Sequence, residues 1–327
     1  MCDGVYRVCR GGKRRCEPMP EGDTIYRAAR ALQKALSGKV VTDFDTGFAK
    51  LASANDDSPV VGLTVEKVEA RGKWCLIHFS GDLILVSHML KSGSWHVYRT
   101  GEKWWMSKSK MRVAITCGDM QAVLFNAQVA EFHTARSLER SSQVPKLGPD
   151  VLAKEFSVEQ GVAALRERAA SHPQDEIAVV LLNQRVMAGL GNVYKSEIAF
   201  AAGVNPFRQM RTITEREMVV MVESSLKYMK TNVLDGAGPQ GATGEGIVTY
   251  TGPRRTTRAM DRSDRMWVYG RQGLECQRCG TAVMMRKQGE QARSTYWCPQ
   301  CQPLVGAGDA PVGKAEKLVR RRRKIGC

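Results

Sequence analysis

The tetrapeptide Met19-Pro20-Glu21-Gly22 contains the residues of this sequence that could most clearly take part in a chemical reaction. If the chain is processed to begin at Pro20, that residue has a free secondary amine. An α-amino group titrates near about 8, so a useful fraction is neutral and nucleophilic at neutral pH. The adjacent Glu21 carboxyl group can move protons during imine formation. If the preceding residues are retained, the Pro20 nitrogen is a tertiary amide and the motif is an ordinary internal Met-Pro step.

Four cysteines form the pattern Cys276-x2-Cys279-x18-Cys298-x2-Cys301. Thiolates paired on two tight turns can share one tetrahedral Zn²⁺, so the spacing predicts a structural zinc site. The alternatives are disulfides or coincidental pairs, and a reducing compartment disfavours disulfides. Arg293 lies between the cysteine pairs. We expect it to contact phosphate rather than to be only a solvent-exposed residue in a turn.

Two further segments have residue types that bind anions. Gly189-Leu-Gly-Asn192 leads into an apolar helical stretch, and backbone N–H groups at a helix N-terminus together with the Asn192 amide form a phosphate site. The same residues also fit a tight interhelical turn. Lys73 lies just before a strand-like run, either approaching an anion or solvated at the surface.

The elements that position these residues fall into two groups. Apolar residues recur at helical spacing from Asp23 to Leu36, and Ser37-Gly38 supplies a stop. Short β-rich runs separated by turn residues follow, which favours a sandwich or barrel. The predicted strands are Val61–Ala70, Trp74–Phe79, Leu83–His88, Trp95–Tyr98, Met111–Cys117 and Ala122–Phe125.

The pattern becomes helical after residue 145. Capping boxes at Ser157–Gln160 and Thr214–Glu217 open helices predicted to end near Ala170 and Leu234. Two apolar helical stretches lie between them, Ile177–Gln184 and Val193–Ala202, and residues 235–263 are predicted to form a loop.

The predicted fold class is therefore α+β and multidomain, with a leading helix, a β-sandwich, a helical domain and a C-terminal zinc-finger β-hairpin. The predicted boundaries are a prefix at 1–18, a sandwich domain at 19–145, a helical domain at 146–263, a finger at 264–302 and a basic disordered tail at 303–327.

The chain of 327 residues has a net charge of +16, of which +3 lies on residues 1–18 and +5 on residues 303–327. The remaining +8 on residues 19–302 favours a polyanionic partner, although solubility alone also explains a positive balance. No uncharged apolar run is long enough to span a bilayer and residues 1–18 lack a secretory signal. We therefore expect a cytoplasmic protein without a membrane partner.

Taken together, these elements resemble the Fpg/Nei DNA glycosylases from Met19 to about Gln302. The residues that carry the resemblance appear in the order typical of that family: Pro20-Glu21-Gly22, Arg71-Gly72-Lys73, Ser87-His88, Ser92-Gly-Ser-Trp95, Gly189-Leu-Gly-Asn-Val-Tyr-Lys-Ser-Glu197, Tyr269-Gly-Arg-Gln-Gly273 and the cysteine finger with Arg293-Ser-Thr-Tyr-Trp-Cys298.

The resemblance implies a bifunctional DNA glycosylase and AP lyase with a helix-two-turns-helix domain. Pro20 would attack C1′ of a damaged nucleotide flipped from the duplex, Glu21 would donate a proton to the sugar, and β,δ-elimination would cut the strand. Lys73 would lie near the lesion's phosphates, while Asn192, Lys195 and Arg293 contact the backbone. The implied partner is double-stranded DNA with oxidised bases or abasic sites, bound by a nucleoid-associated monomer.

At three places the sequence departs from the usual family pattern, and there it resembles the Nei, or endonuclease VIII, branch, which prefers oxidised pyrimidines. Thr24 stands where most members have Glu, Lys91 stands where the 8-oxoguanine branch has Met, and residues 125–128 lack that branch's Arg-Phe pair. Leu90 or Met89 would then fill the void left by the flipped base, with Lys91 also near the DNA.

Two alternatives stay open from the sequence. With the prefix retained and Pro20 blocked, the chain would be a non-catalytic damaged-DNA-binding protein. A zinc-ribbon protein that binds RNA or another protein accounts for the cysteines but not for the N-terminal motif. We expect the prefix to be upstream sequence included by a gene-start error.

Overall fold

The computed structural model describes residues 20–141, 146–234, 247–248, 254–257, 259 and 264–304. The predictions for the prefix and for nearly all of the tail lie outside these residues. The first element is helix α1, Gly22–Leu36, whose apolar stripe from Ile25 to Leu36 is buried. It ends at Ser37, where Gly38 follows with φ +78°. The predicted leading helix is confirmed.

Two antiparallel sheets enclose the N-terminal core together with α1. Their strands are β1 Asp43–Thr46, β2 Val65–Arg71, β3 Trp74–Phe79, β4 Leu83–His88, β5 Ser94–Arg99, β6 Met111–Cys117, β7 Met120–Phe125, β8 Val129–His133 and β9 Ile247–Val248. One sheet has the order β1-β6-β7-β5-β9 and the other β2-β3-β4-β8, so the predicted β-sandwich is confirmed. Trp95, Leu85 and Ile77 lie in the buried layer, because alternate residues of each strand face inward.

Five elements of this domain or its edge were not predicted. They are β1, β8, β9, helix α2 at Ala49–Asp57 and helix α3 at Ala135–Arg140. The burial of β1 alternates between exposed and intermediate, and its apolar content is low. Such an edge strand is held by pairing with β6 rather than by an apolar pattern of its own.

The second domain contains α4 Val158–Ser171, α5 Ile177–Val180, α6 Asn192–Ala201 and α7 Glu215–Leu234. The two predicted capping boxes are present, with reciprocal Ser157–Gln160 and Thr214–Glu217 hydrogen bonds. The prediction of a helix through Gln184 was wrong, because α5 ends at Val180 and turns follow. The Asn183 side chain accepts from Arg185 N at 3.0 Å, an Asx-type turn that competes with helix continuation.

The C-terminal hairpin pairs β10 Met284–Gln288 with β11 Arg293–Trp297. It packs on α6 and the turn that follows, where Gln302 donates to Val204 O at 2.7 Å and accepts from Asn205 through its own carbonyl at 2.8 Å. Among the described residues, no helix is long and apolar enough to cross a bilayer.

The prediction that residues 235–263 form a loop was wrong at Ile247–Val248, which form strand β9. β9 pairs with β5 of the sandwich, and Arg254 is buried with 6% of its surface exposed. The chain after α7 therefore returns to the first domain, and local sequence gave no sign of this because the partners are far away along the chain.

Candidate active site

The Glu21 side chain lies at the N-terminus of α6, on the other domain. Its Oε1 accepts from Val193 N at 2.8 Å, and Tyr194 N lies 3.5 Å from Oε2. Residue 191 is glycine and provides no side-chain cap for α6, so the Glu21 carboxylate takes that role. An anion is stabilised here by the free N–H groups and by the helix dipole. Glu21 is only 1% exposed, so the contact is an internal one.

Glycines allow the backbones of the two domains to approach closely enough for this contact. Gly22 N donates to Gly189 O at 2.8 Å, and a Cβ on Gly22 would lie 2.7 Å from Gly189 Cα. A Cβ on Gly191 would lie 2.3 Å from Glu21 Cδ. Gly22 and Gly191, one from each predicted motif, are thus required by a single docking geometry, while Gly189 is required by its own left-handed backbone, with φ +96°.

Asp23 and Arg254 form a fully buried ion pair next to Glu21. Arg254 donates from Nε to Asp23 Oδ2 at 2.9 Å and from Nη2 to Oδ1 at 2.6 Å. Burial alone would raise the pKa of Asp23, but the Arg254 charge and hydrogen bonds, with Arg27, hold that pKa below its usual value. Thr24 stands where most members of the family have Glu, and the Asp23 carboxylate lies one residue earlier in the chain.

Lys73 reaches the site from the turn between β2 and β3. Gly72, with φ +58°, donates through its backbone to Asp150 Oδ2 at 2.6 Å, and Asp150 Oδ1 accepts from Leu152 N at 3.0 Å. The turn is thereby fixed to the helical domain. Burial lowers the pKa of Lys73 to about 8, with Glu21 acting in the opposite direction and Arg293 reinforcing the shift.

Lys195 lies on α6 with 1% of its surface exposed. Burial lowers the pKa of Lys195 to about 7, and the positive charge of Arg293 lowers it further while Glu21 raises it. Glu21 and Arg293 thus influence the pKa values of both lysines. Partly buried cations that outnumber the nearby anions are unfavourable, and a polyanion would relieve this.

Asn192 begins α6 and is 7% exposed. Within the described residues, its amide oxygen is buried without a hydrogen-bond partner. Buried polar groups are nearly always paired in proteins, so the Asn192 amide needs a partner from outside the described chain.

The loop between β4 and β5 presents Leu90. Its backbone has φ +47° and its side chain is 37% exposed, while its N–H donates to His88 Nδ1 at 3.0 Å. Burial and the nearby Lys73 charge lower the pKa of His88 to about 4, so its ring is neutral and can accept this hydrogen bond. Lys91 follows at the surface. Met89 is 1% exposed in the sandwich core, so the alternative that it fills a void in the DNA does not hold.

The four cysteines of the hairpin come together as predicted. Their sulfur atoms all lie within 4.8 Å of one another, and none is joined in a disulfide. Backbone N–H groups of Arg278 and Cys301 point at Cys276 Sγ and Cys298 Sγ at 3.5 Å. Four thiol groups with N–H donors directed at them match a tetrahedral zinc site in donor type and number.

Comparison with known proteins agrees with this geometry. Residues 19–139 match the formamidopyrimidine-DNA glycosylase N-terminal domain, and residues 147–241 match the H2TH domain of the same family. The chain belongs to the formamidopyrimidine-DNA glycosylase family.

Several relatives of this chain are named endonuclease 8. A protein of Streptomyces coelicolor called probable endonuclease 8 2 is 34% identical over 308 residues, which are 93% of this chain and 100% of that protein. The DNA-(apurinic or apyrimidinic site) lyase Nei2 of Mycolicibacterium smegmatis is 32% identical over 287 residues, 87% of this chain and 99% of that protein. The Lactococcus lactis Fpg in complex with abasic-site DNA has the same fold, with a TM-score of 0.70, 20% identity, and coverage of 87% of this chain and all of that chain.

Sequence reasoning missed three residues that shape this glycosylase-family site. Asp150 and Arg254 act across the domain boundary, and Glu197 accepts N–H groups of Trp267, Val268 and Tyr269 at 2.8–2.9 Å. Burial raises the pKa of Glu197 and these hydrogen bonds oppose that shift. The one signal available was chemical, since an acidic residue inside an apolar helical stretch must have a partner when buried.

We predict that Gly191→Ala destabilises the protein because its Cβ would overlap the Glu21 carboxylate. The expected loss in the free energy of unfolding is about 2 kcal/mol, measured by urea denaturation. Glu21→Ala/Gly191→Ala should lose less than the sum of the two single variants, because the clash is gone.

The matched control is Gly81→Ala, where φ is +80° but an added Cβ meets no atom within 4 Å. Its expected cost is about 1 kcal/mol of backbone strain, with no coupling to Glu21→Ala. Equal effects and equal additivity for the two glycines would contradict the docking role of Gly191.

Proposed function

We propose that this chain is a bifunctional DNA glycosylase and AP lyase that removes oxidised pyrimidines and processes abasic sites in double-stranded DNA. The observation that carries the proposal is the position of Pro20-Glu21 against the α6 N-terminus, where the Glu21 charge acts on both Lys73 and Lys195. The family membership and the endonuclease 8 names of relatives support the same reaction class.

In the proposed reaction the active form begins at Pro20. An α-amino group titrates near about 8, so a useful fraction of this amine is neutral and nucleophilic at neutral pH. The amine nitrogen forms a bond to C1′ while the damaged base leaves with the electrons of the glycosidic bond, and the proton lost from the nitrogen neutralises the departing base. Glu21 protonates the sugar ring oxygen as the ring opens, which leaves an iminium between Pro20 and C1′.

The iminium then draws electrons from the sugar in two eliminations. Loss of a proton from C2′ expels the 3′ phosphate, and loss of a proton from C4′ expels the 5′ phosphate. Hydrolysis of the remaining imine returns the Pro20 amine. Lys73, Lys195 and Asn192 bind the phosphates that flank the opened sugar, and Arg293 supports them from the hairpin.

Leu90 is proposed to fill the space left in the duplex by the flipped nucleotide. Its exposure and its left-handed backbone hold an apolar side chain away from the core, as a wedge requires. The preference for oxidised pyrimidines rests on the departures at Lys91 and residues 125–128 and on the endonuclease 8 names of relatives.

Borohydride trapping on an oligonucleotide with one abasic site tests the chemistry. We predict a covalent adduct with protein that begins at Pro20, and loss of that adduct in Pro20→Gly and Glu21→Gln. Pro20→Gly replaces the secondary amine of the proline ring, and Glu21→Gln removes the acid. The matched control is the chain that retains residues 1–19, in which the nitrogen is an amide. No adduct from protein that begins at Pro20 would overturn the enzymatic proposal and favour a DNA-binding role alone.

We predict one Zn²⁺ per chain, held by Cys276, Cys279, Cys298 and Cys301, because the hairpin is too short to fold around a core of its own. Cys279→Ser should lower the zinc content measured by atomic absorption and weaken DNA binding through the displaced Arg293. Cys75→Ser is the matched control, since Cys75 lies in the sandwich core and should leave the zinc content unchanged. Full zinc occupancy in Cys279→Ser would contradict the assigned ligand set.

We predict that Leu90→Ala slows base removal from duplex DNA but not cleavage of an abasic site in single-stranded DNA, where no void must be filled. The expected loss on duplex DNA is about tenfold, corresponding to part of the few kcal/mol needed to unstack a base. Single-turnover rates on both substrates measure it, with Leu274→Ala as the control because Leu274 is also exposed but lies in the finger. Equal losses on both substrates would contradict the wedge role.

A further inference from the structure

Arg254 comes from a short segment that both domains and the finger hold in place. Asn232 of α7 donates to Arg255 O and accepts from Arg255 N, each at 2.8 Å. Thr256 N donates to Arg265 O at 2.8 Å, and the Thr256 hydroxyl donates to Glu197 of α6. The backbone that follows Arg254 is therefore anchored to the helical domain and the finger, and the Arg254 side chain reaches the first domain.

The Arg254 guanidinium contacts three residues at the start of α1, namely Glu21, Asp23 and Thr24. It makes two hydrogen bonds to Asp23, Nη2 lies 3.2 Å from Thr24 Oγ1, and Nη1 lies 3.9 Å from Glu21 Oε1. Among the described residues, Nη1 has no hydrogen-bond partner and is buried. The Tyr194 ring lies below the guanidinium, 5.1 Å from Arg254 Cζ to the ring centroid.

We propose that Arg254 is a positioning residue for the Pro20–Glu21 pair, linking the helical domain and the finger to the attacking amine through Asp23 and Thr24. The inference rests on the proposed function and adds a residue outside the motifs that carry it. The planar guanidinium is matched to the Asp23 carboxylate in two places, so it fixes the orientation of the first turn of α1 as well as its location.

Stability alone does not account for this arrangement. A buried ion pair usually contributes little net stability, because desolvation offsets the attraction, while removal of one partner leaves a costly unpaired charge. Asp23 and Arg254 thus have a structural cost, and what they provide is a fixed geometry next to Glu21. Misplacement of reacting groups by about 1 Å is enough to cost on the order of 100-fold in rate.

The test uses the full zinc-loaded chain that begins at Pro20. Two quantities are measured: the single-turnover rate of adduct formation on an abasic duplex at saturating protein, and the Kd for a duplex with a tetrahydrofuran abasic analogue. The variants are Arg254→Lys, Arg254→Met and the double variant Asp23→Asn/Arg254→Met. Arg99→Met is the matched control, an exposed arginine at the end of β5 away from Leu90.

We expect Arg254→Met to lower the rate by about 100-fold and Arg254→Lys by about tenfold, with much smaller changes in Kd. The double variant should recover the Tm that Arg254→Met loses, because no unpaired charge remains, without recovering the rate. Arg99→Met should leave the rate unchanged.

A rate within about twofold of wild type in Arg254→Met, or a double variant that regains the rate together with the Tm, would overturn the positioning role. A wild-type chain that forms no adduct would instead overturn the proposed function itself. The two failures are distinguished by the wild-type lane of the same experiment.

Discussion

The contact between the Glu21 carboxylate and the N-terminus of α6 is the interaction on which the rest of the site depends. It places the residue next to Pro20 on the N–H groups of Val193 and Tyr194, across the boundary between two domains. Because a helix N-terminus has unpaired N–H groups and a positive dipole end, it stabilises a carboxylate, and Arg254 Nη1 lies 3.9 Å from Glu21 Oε1 as a nearby cation. The glycines at 22 and 191 follow from this contact, since a Cβ on Gly22 would overlap the backbone of Gly189 and a Cβ on Gly191 would overlap the Glu21 carboxylate. Gly189 is instead required by its left-handed backbone, with φ +96°.

The charges around this contact explain why the site is built for a polyanion. Burial lowers the pKa values of Lys73 and Lys195 to about 8 and about 7, while the Glu21 charge acts on both in the opposite direction. The buried Asn192 amide oxygen has no hydrogen-bond donor among the described residues, and a phosphate, which only accepts, does not supply one. Phosphates of a bound DNA backbone would add negative charge beside the two lysines, which connects the electrostatics of the free protein to the proposed substrate.

Three polar contacts connect the two domains and the finger around the candidate active site. Asp150 fixes the turn that carries Lys73, Arg254 fixes the first turn of α1, and Glu197 holds the backbone that leads into the finger. Each is an acid or base that is buried and paired across a domain boundary. Pairing of this kind is costly when incomplete, so it favours a single relative arrangement of the parts.

Much of the architecture is determined by local pattern. The helical spacing of α1, the strands β3, β4 and β6, the capping boxes of α4 and α7, and the cysteine spacing were all predicted with nearly the observed bounds, because period, capping and ligand spacing are properties of neighbouring residues. The short edge strand β1 and the two-residue strand β9 were missed for the opposite reason. β1 forms because it pairs with β6, and β9 forms because it pairs with β5. The residues of these two short strands do not by themselves indicate a strand.

The same division applies to the site. The sequence by itself determined which residues have the chemistry, namely Pro20, Glu21, Lys73, Asn192 and the four cysteines, since residue type and motif order are enough to name them. Only the tertiary structure decided that Glu21 caps α6, that Leu90 rather than Met89 faces outward, and that Arg254 meets Asp23 across more than two hundred residues of chain. Those outcomes depend on how two domains close on each other, and burial, left-handed backbone and buried ion pairs arise only after that closure.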